Sequence, residues 1–237
     1  MGESVRELSQ AAPMWFGEGA PPEPWAGGEP RVWGVRVSEY AERATGDEWL
    51  LDESERARAA AFVRAVDRDR YRVAHAVLRR LLGAYLACDP ADVAFVREPC
   101  PGCGGPHGRP AVPGALPHFS LSHSGDLVLL AFAETPVGVD VEEVPSPETA
   151  SEVAAVLHPR ERAEIGALPA GRRADAFARC WTRKEAFLKG TGTGLAEAPS
   201  VTYVGAGPEP AGPRGWAVAD LALPGAYAGA FAVRQVL

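Results

Sequence analysis

Cysteine is scarce in this chain, four in 237 residues, too few for the disulfide framework that holds small secreted domains together. The first ten residues lack the apolar run of a secretory signal and carry Glu3, Arg6 and Glu7 instead, so a cytoplasmic protein with reduced thiols is expected. Long hydrophobic stretches are missing too. The longest, Leu127 to Ala133, has seven residues against the roughly 18 that a membrane helix needs, which excludes a bilayer span. Positive charge is the minority sign, 24 Lys and Arg against 31 Asp and Glu, and a net charge of −7 repels nucleic acid and anionic lipid. What is present is ordinary globular material, 46% hydrophobic and 23% charged, which excludes wholesale disorder. Gly (26) and Pro (22) promise many well-punctuated loops.

Residues 1–30 form an expected Pro/Gly-rich leader, suited to draping an aromatic side chain or two over the body. After it the sequence reads as two halves, 31–135 and 136–237. In the first, Arg31 to Val37 alternates like a strand and a helical region runs from about Asp52 to Ala87, with Asp52 or Ser54 as N-cap. Gly34-Val35-Arg36-Val37 matches Gly138-Val139-Asp140-Val141 at an offset of 104, and Glu55-Arg56-Ala57 matches Glu161-Arg162-Ala163 at an offset of 106. A strand, a short helix and a longer helix (67–87; 172–189) therefore recur. Two related α/β halves, an α+β pseudo-dimer with a ligand cleft between them, are expected. Phe119 to His123 and Leu127 to Ala133 form a hairpin about Ser124-Gly125-Asp126, and strands are expected at 200–204, 215–221 and 228–237.

Several constellations carry chemistry. In Gly138-Val139-Asp140-Val141-Glu142 the two carboxylates share one face of a strand while the valines face the core. Such a pair needs a cation, and a hard divalent ion such as Mg²⁺ suits oxygen ligands; a solvated acidic edge strand is the plainer alternative. Phe177, Trp181, Glu185 and Lys189 recur every four residues, so an apolar stripe expected to face the core runs into a carboxylate and an ammonium. If Glu185 approaches Asp140 and Glu142, three acids converge. Gly190 to Gly194 lacks the Lys-Ser/Thr end of a P-loop and reads as a helix cap. Ser122 is not in a Gly-x-Ser-x-Gly elbow, which disfavours a serine hydrolase; Ser122, His123 and Arg109 suit an anion instead. Residues 55–80 hold eight Arg against three acids, whereas 138–164 hold seven acids against two Arg, a bipolar pattern fit for a polyphosphate beside a metal. Cys100, Cys103 and His107 supply three conceivable zinc ligands, with only Cys88, His118 or an acid to supply a fourth, and a plain loop is the simpler reading.

Taken together, Phe119-Ser-Leu-Ser-His-Ser-Gly125, Gly138-Val-Asp-Val-Glu142 and Trp181-Thr-Arg-Lys-Glu-Ala186 resemble the Sfp-type 4′-phosphopantetheinyl transferases over roughly residues 31–235. The resemblance implies a pseudo-dimer binding coenzyme A between its halves, acting as a monomer to move 4′-phosphopantetheine to a serine of an acyl or peptidyl carrier protein. It implies Mg²⁺ at Asp140, Glu142 and Glu185, with Glu185 also the base. Lys184 and Lys189 match phosphate-contacting lysines, Lys189 being counted with Glu185 as catalytic. Ser122 and His123 match residues holding the coenzyme's 3′-phosphate, and Gly108-Arg109-Pro110 resembles a Gly-Lys-Pro near the adenine. Arg58 and Arg70 fall where the first half supplies further basic contacts. Arg36 stands where symmetry would put a partner to Asp140, which fits one active site per chain. A binding module without catalysis and a Mg²⁺-dependent nucleotide hydrolase are the rival functions.

Overall fold

The structure is a computed structural model that describes residues 11–18, 22–106, 108–114 and 116–236. His107 and the first ten residues of the expected leader lie outside the described residues.

Along the chain, β1 (Met14–Trp15) and β2 (Arg31–Arg36) lead into α1 (Val37–Gly46), α2 (Glu53–Ala60) and α3 (Ala65–Leu86). A small hairpin, β3 (Val96–Arg97) and β4 (Pro110–Ala111), precedes β5 (His118–Ser124) and β6 (Leu127–Ala133). The chain then repeats its order with β7 (Val137–Glu143), α4 (Pro147–Val153), α5 (Pro159–Gly166), α6 (Ala170–Thr191), β8 (Trp216–Asp220) and β9 (Tyr227–Arg234). The sheets run β1-β2-β6-β5 and β7-β9-β8. Thus β2-β6-β5 and β7-β9-β8 share one antiparallel order, and α3 and α6 are each 22 residues long.

The starts of the short helices repeat as well. Asp52 caps α2 in a capping box with Glu55, and His158 caps α5 in a capping box with Glu161, satisfying amides that have no partner inside the helix. In both halves that glutamate is buried and meets a cation from the long helix. Glu55 accepts from Arg79 Nε at 2.7 Å; Glu161 holds Lys184 Nζ at 3.0 Å.

The apolar run of β6 is explained by burial on both faces. Val128, Leu130 and Phe132 join the core under α1 and α3, while Leu127, Leu129 and Ala131 pack against Val139, Val141 and Phe231 of the second half. Alternation therefore disappears from the sequence there. A third core lies under α6, around Phe177, Phe187, Leu188 and Val218. Between the sheets, alternate serines of β5 bridge to β7: Ser120 Oγ accepts from the Val139 amide at 3.1 Å and Ser124 Oγ from the Glu143 amide at 3.2 Å.

Some expectations are corrected. The hairpin turn is Gly125-Asp126, with Ser124 the last residue of β5; Gly125 takes φ +52° at the first turn position, where glycine is favoured. Residues 200–204 form no strand. Their polar groups are spent on the buried pair below α6, since the Val204 amide donates to Glu161 Oε1 at 2.8 Å and the Thr202 carbonyl accepts from Lys184 Nζ. Of the leader, Trp15 packs on the seam between the halves, and Phe16 and Trp25 pack on the first core.

Candidate active site

Strand β7 and helix α6 build the site because they touch backbone to backbone. A Cβ at Gly138 would sit 1.9 Å from the Ala186 carbonyl oxygen and 2.4 Å from the Gly190 nitrogen. Only glycine permits this approach, which brings Glu185 and Lys189, one turn apart on α6, over Asp140 and Glu142.

Asp140 is 2% exposed. Its Oδ1 accepts from Ser122 Oγ at 2.8 Å and from Lys189 Nζ at 2.7 Å, and Lys189 also donates to Ser122 Oγ at 2.9 Å. Its Oδ2 is buried without a hydrogen-bond partner, a state that costs on the order of 1–3 kcal/mol. Burial pushes the Asp140 carboxyl above the usual range, against the pull of Lys189 and Ser122. Glu142 accepts from Ser124 Oγ at 2.9 Å; burial and the Asp140 charge raise it. Glu185 is raised by burial and by Asp140, with Lys189 opposing. All three acids line one cleft of about 400 Å³, together with Trp181, His123 and Lys189.

These donors fit a hard divalent cation. Three carboxylates face a single ammonium, and one buried oxygen awaits a positive partner. Among the described residues no three acid, histidine or cysteine side chains enclose an ion by themselves. A Mg²⁺ ion held there would take water and phosphate oxygens as its remaining ligands.

A larger cleft of about 610 Å³ adjoins this one, sharing Leu121 and Lys189 with it. Arg109 lines it beside Gly108 and Pro110. The Arg109 guanidinium is anchored, donating to Glu98 Oε2 at 2.6 Å and to the Gly190 carbonyl at 2.8 Å, the second bond capping the end of α6. His123 opens onto the smaller cleft, and the partial removal of its ring from water, together with the charges of Arg70, Lys189 and His75, pushes its imidazole down.

Other sequence candidates lie elsewhere. Lys184 lines neither cleft: it is 1% exposed and locked to Glu161, the counterpart of Arg79 in the first half. The chain has only two lysines, one built into the core and one in the site. Arg58 is exposed on α2 with its guanidinium 5.5 Å from the Phe62 ring and lines neither cleft. Arg70 comes near His123 but is engaged, donating from Nε to the Gly125 carbonyl at 2.8 Å and pairing with Asp67. The stripe runs as expected from the core into the cleft: Phe177 is buried in the core under α6 and Trp181 packs against it, while Trp181, the half-buried Glu185 and Lys189 line the cleft.

Sequence reasoning passed over Ser120 and Ser124, although three serines at alternate positions of one strand are a legible stripe. It also passed over the strap around the hairpin turn, which no local pattern marks. The Asp126 carboxylate accepts from Ser38 Oγ and the Ser38 amide at 2.7 Å each, and Tyr227 Oη accepts from the Asp126 amide at 2.9 Å.

The chain is similar to several known proteins. The family model described as 4′-phosphopantetheinyl transferase superfamily matches residues 136–209. The 4′-phosphopantetheinyl transferase HetI of Nostoc sp. is 31% identical over 191 residues, covering 77% of each chain. A 4′-phosphopantetheinyl transferase of Bacillus subtilis is 27% identical over 171 residues, covering 70% of this chain and 72% of its own. The transferase AcpT of Salmonella typhi is 42% identical over 91 residues, 37% of this chain and 47% of its own.

Proposed function

The chain belongs to the 4′-phosphopantetheinyl transferase superfamily, and we propose that it moves the 4′-phosphopantetheine group of coenzyme A to a carrier-protein serine at the cluster of Asp140, Glu142, Glu185 and Lys189. Coenzyme A and an acyl or peptidyl carrier protein are its two substrates. The observation that carries the site is the buried Asp140 carboxylate, with Lys189 on one oxygen and no partner on the other.

In this reading the serine hydroxyl attacks the phosphorus that bears pantetheine. A new P–O bond forms, the bridging P–O bond of the pyrophosphate breaks, and adenosine 3′,5′-bisphosphate departs. Asp140, Glu142 and Glu185 would hold Mg²⁺, which when bound supplies charge stabilisation to the phosphate oxygens. Glu185 takes the proton of the attacking hydroxyl, and its raised pKa makes it a stronger base than an exposed glutamate. Lys189, only partly exposed, donates toward the charge that builds on the phosphoryl oxygens. His123 and Ser122 bind a phosphate of the coenzyme, and Arg109 holds the wall of the larger cleft in which its nucleotide lies. The mixed seam formed by both halves of one chain supports a monomer. No helix among the described residues is long and apolar enough to cross a membrane, and the cytoplasm is the proposed location.

The test is the intact mass of an apo carrier protein after incubation with this protein, coenzyme A and Mg²⁺, with an EDTA control. A gain of one phosphopantetheine that disappears with EDTA is the expected result. No gain across several acyl and peptidyl carriers would overturn the reading.

A further inference from the structure

The Gly125-Asp126 turn between β5 and β6 is held more firmly than a hairpin tip needs. Such tips are usually mobile surface features, but here groups from both halves take up its polar atoms. From α3, Arg70 Nε donates to the Gly125 carbonyl at 2.8 Å. From the start of α1, the Val37 amide donates to the Asp126 carbonyl at 2.8 Å, and Ser38 holds the Asp126 carboxylate through its amide and its hydroxyl. From β9, Tyr227 Oη accepts from the Asp126 amide at 2.9 Å. The Tyr227 ring packs on the seam between the halves, so its hydroxyl is presented from a fixed base. A Cβ at Gly125 would lie 2.2 Å from that hydroxyl and 2.5 Å from Glu143 Oε1; the turn rests directly on the pair.

Two short chains of hydrogen bonds meet there. In the first, the Asp126 amide donates to Tyr227 Oη and the Tyr227 hydroxyl donates to Glu143 Oε1 at 3.3 Å. In the second, the Glu143 amide donates to Ser124 Oγ at 3.2 Å and the Ser124 hydroxyl donates to Glu142 Oε2 at 2.9 Å. Glu143 joins them, its carboxylate ending one and its amide beginning the other, and it is the register partner of Tyr227 between β7 and β9. A serine hydroxyl has one proton, and the amide on its oxygen leaves that proton to Glu142. Among the described residues Ser124 is the one hydrogen-bond partner of the Glu142 carboxylate, so whatever fixes Ser124 aims that acid into the smaller cleft.

We propose that Tyr227 is a positioning residue of the site: by seating the turn on Glu143, its hydroxyl fixes Ser124 and, through Ser124, the orientation of Glu142, a role that rests on the transfer reaction proposed above, which gives Glu142 a cation to hold. Tyr227 lines neither cleft. It acts only through the turn.

Tyr227→Phe keeps the ring in the seam and removes the hydroxyl alone. In the metal-free full chain, hydrogen exchange at the Glu143 amide is expected to become roughly two- to tenfold faster, the scale of one hydrogen bond. Mg²⁺ affinity, measured by calorimetry, is expected to fall by the same roughly two- to tenfold, while the KM for coenzyme A at saturating Mg²⁺ stays within about twofold of wild type. Ser124→Ala breaks the second chain and is expected to weaken Mg²⁺ binding at least about tenfold. In that background Tyr227→Phe is expected to add less than about twofold, because both substitutions act on one carboxylate. A role confined to stability would lower Tm and leave Mg²⁺ affinity unchanged. Unchanged affinity in Tyr227→Phe, unchanged exchange at Glu143, or effects of the two substitutions that simply multiply would each overturn the proposal. Wild type that transfers nothing to any carrier would overturn the proposed reaction instead. The exchange readout involves neither metal nor substrate, so the two can fail separately.

Discussion

Replacing Lys184 by methionine separates a core role from a catalytic one. Lys184 is 1% exposed and Glu161 is 0% exposed; their ion pair measures 3.0 Å. Glu161 also accepts from the amides of His158 at 3.1 Å and Val204 at 2.8 Å. Methionine fills much of the lysine's volume but leaves a buried carboxylate with two amide donors and no countercharge. Removing one partner of such a pair costs about 3–5 kcal/mol. For a chain of this size each kcal/mol moves Tm by about 2–4 °C, so a fall of roughly 6–20 °C is expected. Adding Glu161→Gln removes the stranded charge and is expected to recover more than half of that loss, a coupling readable from the double-mutant cycle. Differential scanning calorimetry gives Tm, and single-turnover transfer below the transition gives activity, expected to stay within about threefold of wild type. An unchanged Tm combined with a large rise in the KM for coenzyme A would refute the core assignment and restore Lys184 to the phosphate site.

Lys189→Met is expected to lower kcat by at least about a hundredfold and also to lower Tm, because it strips the buried Asp140 carboxylate of its ammonium partner. Gly138→Ala is expected to cost at least the 1–3 kcal/mol typical of overpacking and to abolish transfer, because its Cβ would lie 1.9 Å from the Ala186 oxygen; normal activity would mean that β7 and α6 need not touch. The folded-state pKa of Glu55 is depressed, since its bonds from His75, the Asp52 amide and Arg79 outweigh burial. Its contribution is therefore fully present above the unfolded value near 4.5 and lost as pH falls through the lower folded value. Acid unfolding of Glu55→Gln is expected to be shallower below that pH, and an identical pH profile would count against the pairing. Asp140 has a raised folded pKa, so its ionisation costs stability as pH rises through the carboxylate range. Asp140→Asn is expected to raise the Tm of metal-free protein and to abolish the stabilisation by Mg²⁺, which for wild type at 100-fold over Kd amounts to about 2.7 kcal/mol.

The elements with a strong local signal were legible in the sequence. Asp52 with Glu55 announces the start of α2, and the alternation of Asp140 and Glu142 with buried valines gives the active face of β7. Lys184 misled because a short motif carries residue identity but not the side of a helix. It lies next to Glu185 in sequence, but about 100° away around α6, on the face toward α5. The repeat held the corrective signal, since Glu55 and Arg79 recur as Glu161 and Lys184 and bind in the same way. Segment 200–204 misled for a related reason. Its apolar residues suit a strand, but its polar backbone is claimed by that buried pair, a long-range demand that no window of sequence contains. The strap through Ser38, Asp126 and Tyr227 joins three distant positions and had no local signature.

One difference between the halves explains why a repeated architecture has one site. Gly34 and Gly138 match in sequence, but they face opposite sides of their sheets: Gly34 pairs with Leu129 on the seam side, and Gly138 with Ala232 under α6. At Gly138 the missing Cβ admits the backbone of α6, so the long helix lies directly on β7 and sets Glu185 and Lys189 beside Asp140. At Gly34 a Cβ would meet the Trp15 ring at 2.9 Å, so the seam face there is taken by a leader aromatic, while α3 packs on the other face against α1, β5 and β6. Two positions further on, Asp140 is buried at the end of its approach to Lys189, whereas Arg36 is half-buried and lies over the same Trp15 ring at 5.2 Å. The leader thus fills the seam face of the first sheet at Gly34, whereas at Gly138 the long helix packs on the outer face of the second sheet. With α3 held toward β5, its residues Tyr71 and His75 instead line the larger cleft, which meets the carboxylate site at Lys189. A close helix–strand contact in one half supplies the charged groups, and in the other the long helix lends Tyr71 and His75 to the wall of the larger cleft.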